Sequence, residues 1–200
     1  LVFGYEAKGS NDVSTAEAAM ESEDSAEPTD DQPSRAALTL DGESTLASPL
    51  TGKVIPLSEV PDPVFAGGHV GAGVGILPTD GQVVAPFDGT IIVAPASGHA
   101  VGLRSSDGIE LLIHVGIDTV NLAGRGFTTH VKVKQDVRAG DPLVDVDLKV
   151  IEEAGYSLAT PVLVTNARAL GEVTLDAGDT VTAGEPLLRV TPMREDASSS

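Results

Sequence analysis

The sequence predicts an all-β fold, a β-sandwich or barrel built from two similar halves and carrying one or two short helices. Three observations point there. Hydrophobic residues make up 41% of the 200 but aromatic ones only 3%, and tryptophan is absent, so Val, Leu, Ile and Ala have to build the core. The 22 glycines and 13 prolines cut the Val-rich runs into short pieces, as turns between strands do. Two segments also occur twice. ASPLTGKV at 47–54 resembles APFDGTI at 85–91, and DVRAGDPL at 136–143 resembles DTVTAGEPL at 179–187.

Taken in order, residues 1–44 read as a disordered acidic linker. Their Glu, Asp, Ser, Ala, Thr and Pro cannot bury enough apolar area to offset the entropy of ordering them, although 16–20 could form a transient helical turn. From 45 to 194 the pattern is that of a folded domain, with a disordered tail at 195–200. Strands are expected at 46–48, 52–56, 74–78, 82–85, 89–94, 100–105 and 109–115, and again at 127–130, 142–147, 162–165, 171–175 and 187–191. Residues 149–154 form the one good short helix, with Gly155 where a left-handed cap belongs. VPDPVF at 60–65 is too proline-rich for a central strand and suits a turn followed by a short helical piece.

Charge and composition exclude several functions. A net charge of −18 repels nucleic-acid phosphates and anionic lipid, and suits a partner with a basic patch. With no cysteine there is no disulfide, thiolate metal site or thiol nucleophile. No stretch is long and apolar enough to span a bilayer. No lysine stands at a hairpin tip as in lipoyl or biotinyl carriers, whose repeated turns look similar. GAGVG at 71–75 lacks the strand–loop–helix context of a nucleotide loop.

The chemistry concentrates at 97–118, SGHAVGLRSSDGIELLIHVGID, which reads as two strands joined by a Ser-Ser-Asp-Gly turn. A four-residue loop would set His99 directly opposite His114, and a two-residue Asp-Gly turn would make them diagonal neighbours. A three-residue loop would put them on opposite faces. Paired imidazoles with a nearby hydroxyl, Ser97, could bind zinc, act as acid and base, or capture a phosphoryl group. Zinc wants more ligands than two, and Asp62 or Asp118 would have to complete the site. No Gly-x-Ser-x-Gly element marks a serine hydrolase. A neutral imidazole nitrogen can, however, attack phosphorus while a second imidazole hydrogen-bonds the phosphoryl oxygens. His69, in a loop, and His130, at a strand end, read as surface residues.

VPDPVFAGGHVGAGVGILPTDG, VVAPFDGTI, the 97–118 stretch with VNLAGRGF behind it, and ATPVLVTN together resemble a known family. It is the enzyme IIA domain, glucose and β-glucoside type, of the bacterial phosphoenolpyruvate-dependent sugar phosphotransferase system. The likeness runs from about Leu46 to Pro192. It implies the family's duplicated hybrid motif and a phosphoryl relay in sugar uptake, with no cofactor and no resident metal. His114 would take the phosphoryl group from the phosphocarrier protein HPr and pass it to a cysteine of a IIB domain. His99 would steady that group, and Ser97 would stand where the family often has a threonine in the hydrogen-bond relay. Asp62 and Asp118 would flank the site and meet arginines of partners, within an apolar docking rim of Val64, Phe65 and Leu112. The resemblance also implies a cytoplasmic domain tethered to the membrane, Leu1–Glu6 being the end of an upstream IIC domain and the acidic linker the tether. Gly67 and Gly68 replace an acidic residue and a lysine of some relatives, and sugar choice would lie with IIC. The alternatives are a regulatory module using the same His99/His114 face, perhaps bridging zinc to a partner, and a zinc peptidase, for which a further His and Asp are lacking.

Overall fold

Short apolar runs punctuated by Gly and Pro leave no length for long helices, and the computed structural model, which describes residues 42–193, is accordingly built of strands. They are β1 (Ser44–Ala47), β2 (Gly52–Pro56), β3 (Ala72–Pro78), β4 (Gln82–Val84), β5 (Gly89–Val93), β6 (Ala100–Ser105) and β7 (Glu110–His114). After them come β8 (Phe127–Thr129), β9 (Asp136–Val137), β10 (Pro142–Val146), β11 (Thr160–Val164), β12 (Gly171–Leu175), β13 (Thr180–Val181) and β14 (Pro186–Pro192). The α-helices among the described residues are α1 (Pro63–Ala66), α2 (Leu148–Glu153) and α3 (Ala167–Leu170), three where one or two short helices were expected, and Leu57–Glu59 and Thr119–Leu122 add single 3-10 turns. Residues 1–41 of the expected linker, Leu1–Glu6 among them, and the expected tail at 195–200 lie outside the described residues, whereas Ser44, expected to end the linker, already opens β1.

Eight strands form the largest sheet, in the order β13-β2-β3-β11-β7-β6-β5-β9, with two three-stranded sheets, β1-β14-β12 and β4-β10-β8, beside it. Adjacent strands are antiparallel. β7 lies inside the large sheet between β6 and β11. Its Leu111 and Ile113 point into a core shared with Ile76, Leu103, Leu143, Val162 and Leu187, all of them buried.

The two repeated segments make the same bonds. In one half Ser48 N donates to Glu185 O (2.7 Å), Gly184 N to Ser48 O (2.8 Å) and Thr182 N to the Glu185 carboxylate (2.8 Å). In the other Ala85 N donates to Asp141 O (2.9 Å), Gly140 N to Ala85 O (2.8 Å) and Arg138 N to the Asp141 carboxylate (2.8 Å). The [Asp/Glu]-Pro turn is thus one device used twice, with a left-handed glycine, Gly140 or Gly184, at its tip. It also creates β9 and β13, two-residue strands that the sequence does not announce.

The 3.6-residue pattern of α2 places Ile151 in the core. Asp147 caps its first turn by accepting from Lys149 N (3.1 Å). Gly155 (φ 81°) ends it as expected, and Tyr156 N reaches back to Ile151 O (3.1 Å).

Candidate functional site

At the hairpin between β6 and β7 the loop has three residues. Ser105 N donates to Ile109 O (2.9 Å), and Gly108 takes the left-handed conformation at φ 83°. The Ser105 hydroxyl accepts from Ile109 N (3.0 Å), a local bond that holds this loop. The register that follows pairs Ala100 with His114 and Arg104 with Glu110. By strict alternation this is the register that separates the two histidines, yet their ring centroids lie 5.1 Å apart, edge to face at 69°. The expectation that one of the other two loops is needed was therefore wrong. Alternation binds only residues within the pleat, and β6 begins at Ala100. His99 sits in a bend directly after Gly98 (φ 67°), its carbonyl accepting from Val115 N (2.7 Å), so its ring is free of the strand's facing rule.

His114, the last residue of β7, is held by its own chain. Gly116 adopts φ 70°, and its carbonyl turns back to lie 2.8 Å from His114 Nδ1. A carbonyl only accepts, so Nδ1 carries the proton. In the neutral ring Nε2 then keeps the lone pair. The Ser97 hydroxyl lies 2.7 Å from His99 Nδ1. If it donates there, His99 presents Nε2–H as a donor.

Phe65 also packs against His114, with ring centroids 5.0 Å apart at 51°. It comes from α1, whose start is fixed by Pro63 at the first helical position and by Asp62, whose Oδ1 accepts from Val64 N (2.8 Å) and Phe65 N (3.1 Å). Phe65 also rests on a small second core of Ile55, Val60, Ile117 and Ala159. Asp62 is thus a turn-forming cap as well as a neighbouring charge.

Electrostatics keep both rings neutral. Burial pulls His114 below the ordinary imidazole value, partly countered by the bond to Gly116 and by the carboxylates of Asp62 and Asp118. His99 is lowered too, by burial and then by the charge His114 would carry.

Ser97, His99, His114 and Phe65 form one contiguous cluster with Asp62 beneath its helical arm. Asp118, left-handed at φ 60°, is exposed two residues beyond Gly116. Val64 is 52% exposed, and so is Val120, which the sequence did not suggest for the apolar rim. Leu112 is half-buried on the His114 face of β7. Elsewhere His69 is exposed and its ring packs over Gly67, where a side chain would come within 2.8 Å of it. His130 pairs with Asp145 at 2.7 Å. Among the described residues no group of three or more His, Cys, Asp or Glu could hold a metal ion. Gly116, whose carbonyl sets the tautomer of His114, was also missed. Its only signal in sequence is a glycine two places after a strand-ending histidine.

Known proteins share this arrangement of sequence and fold. The family model for the phosphoenolpyruvate-dependent sugar phosphotransferase system, EIIA 1, matches residues 44–170. The chain is 49% identical over 150 residues to the mannose-specific EIIBCA component of Corynebacterium glutamicum, covering 75% of this chain and 22% of that protein. It is 46% identical over 142 residues to the glucose-specific EIIA component of Bacillus anthracis, covering 71% of this chain and 86% of that one. Glucose permease IIA from Mycoplasma capricolum superposes with a TM-score of 0.67 at 33% identity, over 74% of this chain and 96% of its own. The chain therefore spans about a fifth of the EIIBCA components it matches, 22% of the mannose-specific one and 19% of the glucose-specific one of Corynebacterium glutamicum (54% identical over 128 residues, 64% of this chain), and most of the EIIA component.

Proposed function

The chain belongs to the EIIA 1 family of the phosphoenolpyruvate-dependent sugar phosphotransferase system, and from that premise we propose that its folded domain carries a phosphoryl group on His114 Nε2. HPr is the donor and a cysteine of a IIB domain the acceptor. The observation that carries this reading is the Nδ1–Gly116 bond of 2.8 Å, which leaves the Nε2 lone pair free on an imidazole that burial keeps neutral.

The lone pair attacks phosphorus in line. One P–N bond forms at His114 as the donor's P–N bond breaks, and the donor imidazole leaves with its electron pair. Nδ1 keeps its proton, so the positive charge growing on the ring is shared with the Gly116 carbonyl. The Ser97 hydroxyl donates to His99 Nδ1, and His99 Nε2–H then donates to the phosphoryl oxygens, which gain charge in the transition state. Transfer to the acceptor thiolate reverses these steps. Asp62 and Asp118 would repel a phosphoryl group rather than bind it, and fit better as partners for basic residues of HPr and IIB. Val64, Phe65 and Leu112, joined by Val120, supply the apolar docking surface.

Likeness to EIIBCA components supports a domain that works on the cytoplasmic side next to IIB and IIC, with sugar selection left to IIC. No helix among the described residues is long and apolar enough to cross a membrane. The test is intact mass after incubating the chain with phosphoenolpyruvate, enzyme I and HPr. Wild type gains one acid-labile phosphoryl group and His114→Gln gains none. An adduct that survives His114→Gln, or none on wild type, defeats the proposal.

A further inference from the structure

The tautomer of His114 depends on where one carbonyl points, so the groups that hold that carbonyl matter. Among the described residues three polar side chains are fully buried: Ser48, Thr119 and Thr160. Two of the three end on a single peptide unit. Thr119 Oγ1 donates to Val115 O, and Thr160 Oγ1 accepts from Gly116 N at 3.3 Å while donating its own proton to Leu158 O at 2.9 Å. The following peptide is held by Ile117 N donating to Ser157 O at 3.0 Å and by the Gly116 carbonyl on His114 Nδ1.

The ladder between β7 and β11 last pairs Ile113 with Val162. Beyond it no strand partner fixes Val115 and Gly116 on that side, and the threonine hydroxyls take over the role of ladder bonds. Gly116 has an unusually wide choice of backbone angles. Without these bonds only Ile117 N on Ser157 O and the Nδ1 contact itself would hold the Gly116 carbonyl, and each turn of that carbonyl off Nδ1 lets either ring nitrogen hold the proton.

We infer that Thr160 and Thr119 are positioning residues for phosphoryl transfer: their buried hydroxyls clamp the Val115–Gly116 peptide so that His114 is held as the Nδ1–H tautomer with Nε2 bare. The consequence for transfer rests on the carrier reading above, whereas the consequence for the tautomer does not.

The experiment uses the whole 200-residue chain with ¹⁵N-labelled histidine. Long-range ¹H–¹⁵N spectra above the imidazole titration range report which His114 nitrogen is protonated, the signals being assigned by their loss in His114→Gln. Wild type should show Nδ1–H. Thr160→Val and Thr119→Val, which keep shape and remove the hydroxyl, should each move a measurable share to Nε2–H. Each should also slow uptake from HPr by about tenfold at unchanged KM, the scale set by losing one net hydrogen bond. Thr160→Ser should restore both readouts. A Thr160→Val protein with wild-type tautomer and rate overturns the inference, even if it melts earlier, because a purely structural threonine would behave that way. If Thr160→Val does not fold, Thr119→Val and Thr119→Ser decide by the same two readouts. If wild type takes up no phosphoryl group, the carrier reading falls and the tautomer measurement still stands.

Discussion

Replacing Gly116 with alanine tests how far the site depends on one backbone conformation. At φ 70° a residue with a side chain is held where L-residues are disfavoured by about 1–2 kcal/mol. The added Cβ would lie 2.6 Å from Thr119 Cγ2 and 2.7 Å from Ser157 O. Neither neighbour yields easily. Thr119 is fully buried and bonded to Val115 O, and the Ser157 carbonyl already accepts from Ile117 N. Overpacking of this kind costs about 1–3 kcal/mol. Stiffening of the unfolded chain returns about 0.4–1 kcal/mol. The net loss is then roughly 2–4 kcal/mol, a large part of a typical domain stability of about 5–15 kcal/mol. Urea titration should show the midpoint falling by about 1–2 M, given slopes of about 1–3 kcal/mol per molar for domains of this size. In the folded fraction, phosphoryl uptake should be slow because the carbonyl that fixes the tautomer has moved. A Gly116→Ala protein with an unchanged midpoint and normal uptake would refute the account of both the turn and the tautomer.

Three further outcomes follow from the same geometry. Since burial lowers both His114 and His99, uptake should rise with pH below about 6.5 and be level above it. Stability should follow the same direction: as pH falls below about 6.5 the unfolded chain binds protons before the folded one, and stability is lost toward the lowered folded values. Asp62→Asn keeps an amide that can cap α1 but removes a charge that raises His114, so the acid limb of the rate profile should move lower while stability holds. Asp62→Ala should also cost about 1 kcal/mol in a urea titration, through the lost cap; an unmoved limb in Asp62→Asn would count against the electrostatic role. His99→Gln should still be phosphorylated but pass the group to IIB about a hundredfold more slowly in rapid-quench assays, the cost of a misplaced oxyanion-type donor, and a normal onward rate would remove His99 from the mechanism.

Much of the domain could be read from local pattern. Gly52–Pro56, Ala100–Ser105 and Gly171–Leu175 fall where apolar runs meet glycine, proline and serine, and the structure keeps those bounds. β9 and β13 escaped because two residues carry no periodicity; they exist only because the repeated turn brings them against β5 and β2. α3 has the apolar Ala167 and Leu170 on its buried side but is too short for a helical period to register. The register of the β6–β7 hairpin rests on a serine hydroxyl taking Ile109 N, one of several bonds the same Ser-Ser-Asp-Gly sequence could make. The two histidines were found by residue type and spacing, but what joins them is a bend at Gly98 and His99 outside the strand. Thr160, 46 positions from His114 in the chain, could not be placed at the site until β11 was seen beside β7.

The pairing of β1 with β14 has a consequence for how the domain is made. Ser44 lies opposite Val190, and Arg189 reaches Glu43 across 146 positions of sequence. The sheet opened by the first strand of the domain therefore cannot close until nearly all of it has left the ribosome. Contacts so distant are slow to form, because much of the chain must be ordered before they can stabilise it. Until then β14 is missing from between β1 and β12, so Leu46 of β1 lacks Leu188 opposite it and Val173 of β12 lacks Val190. A nascent chain stalled near residue 180 would hold His99 and His114 but lack this closure, and that interval is when the domain is most open to proteolysis or to pairing with a neighbouring copy.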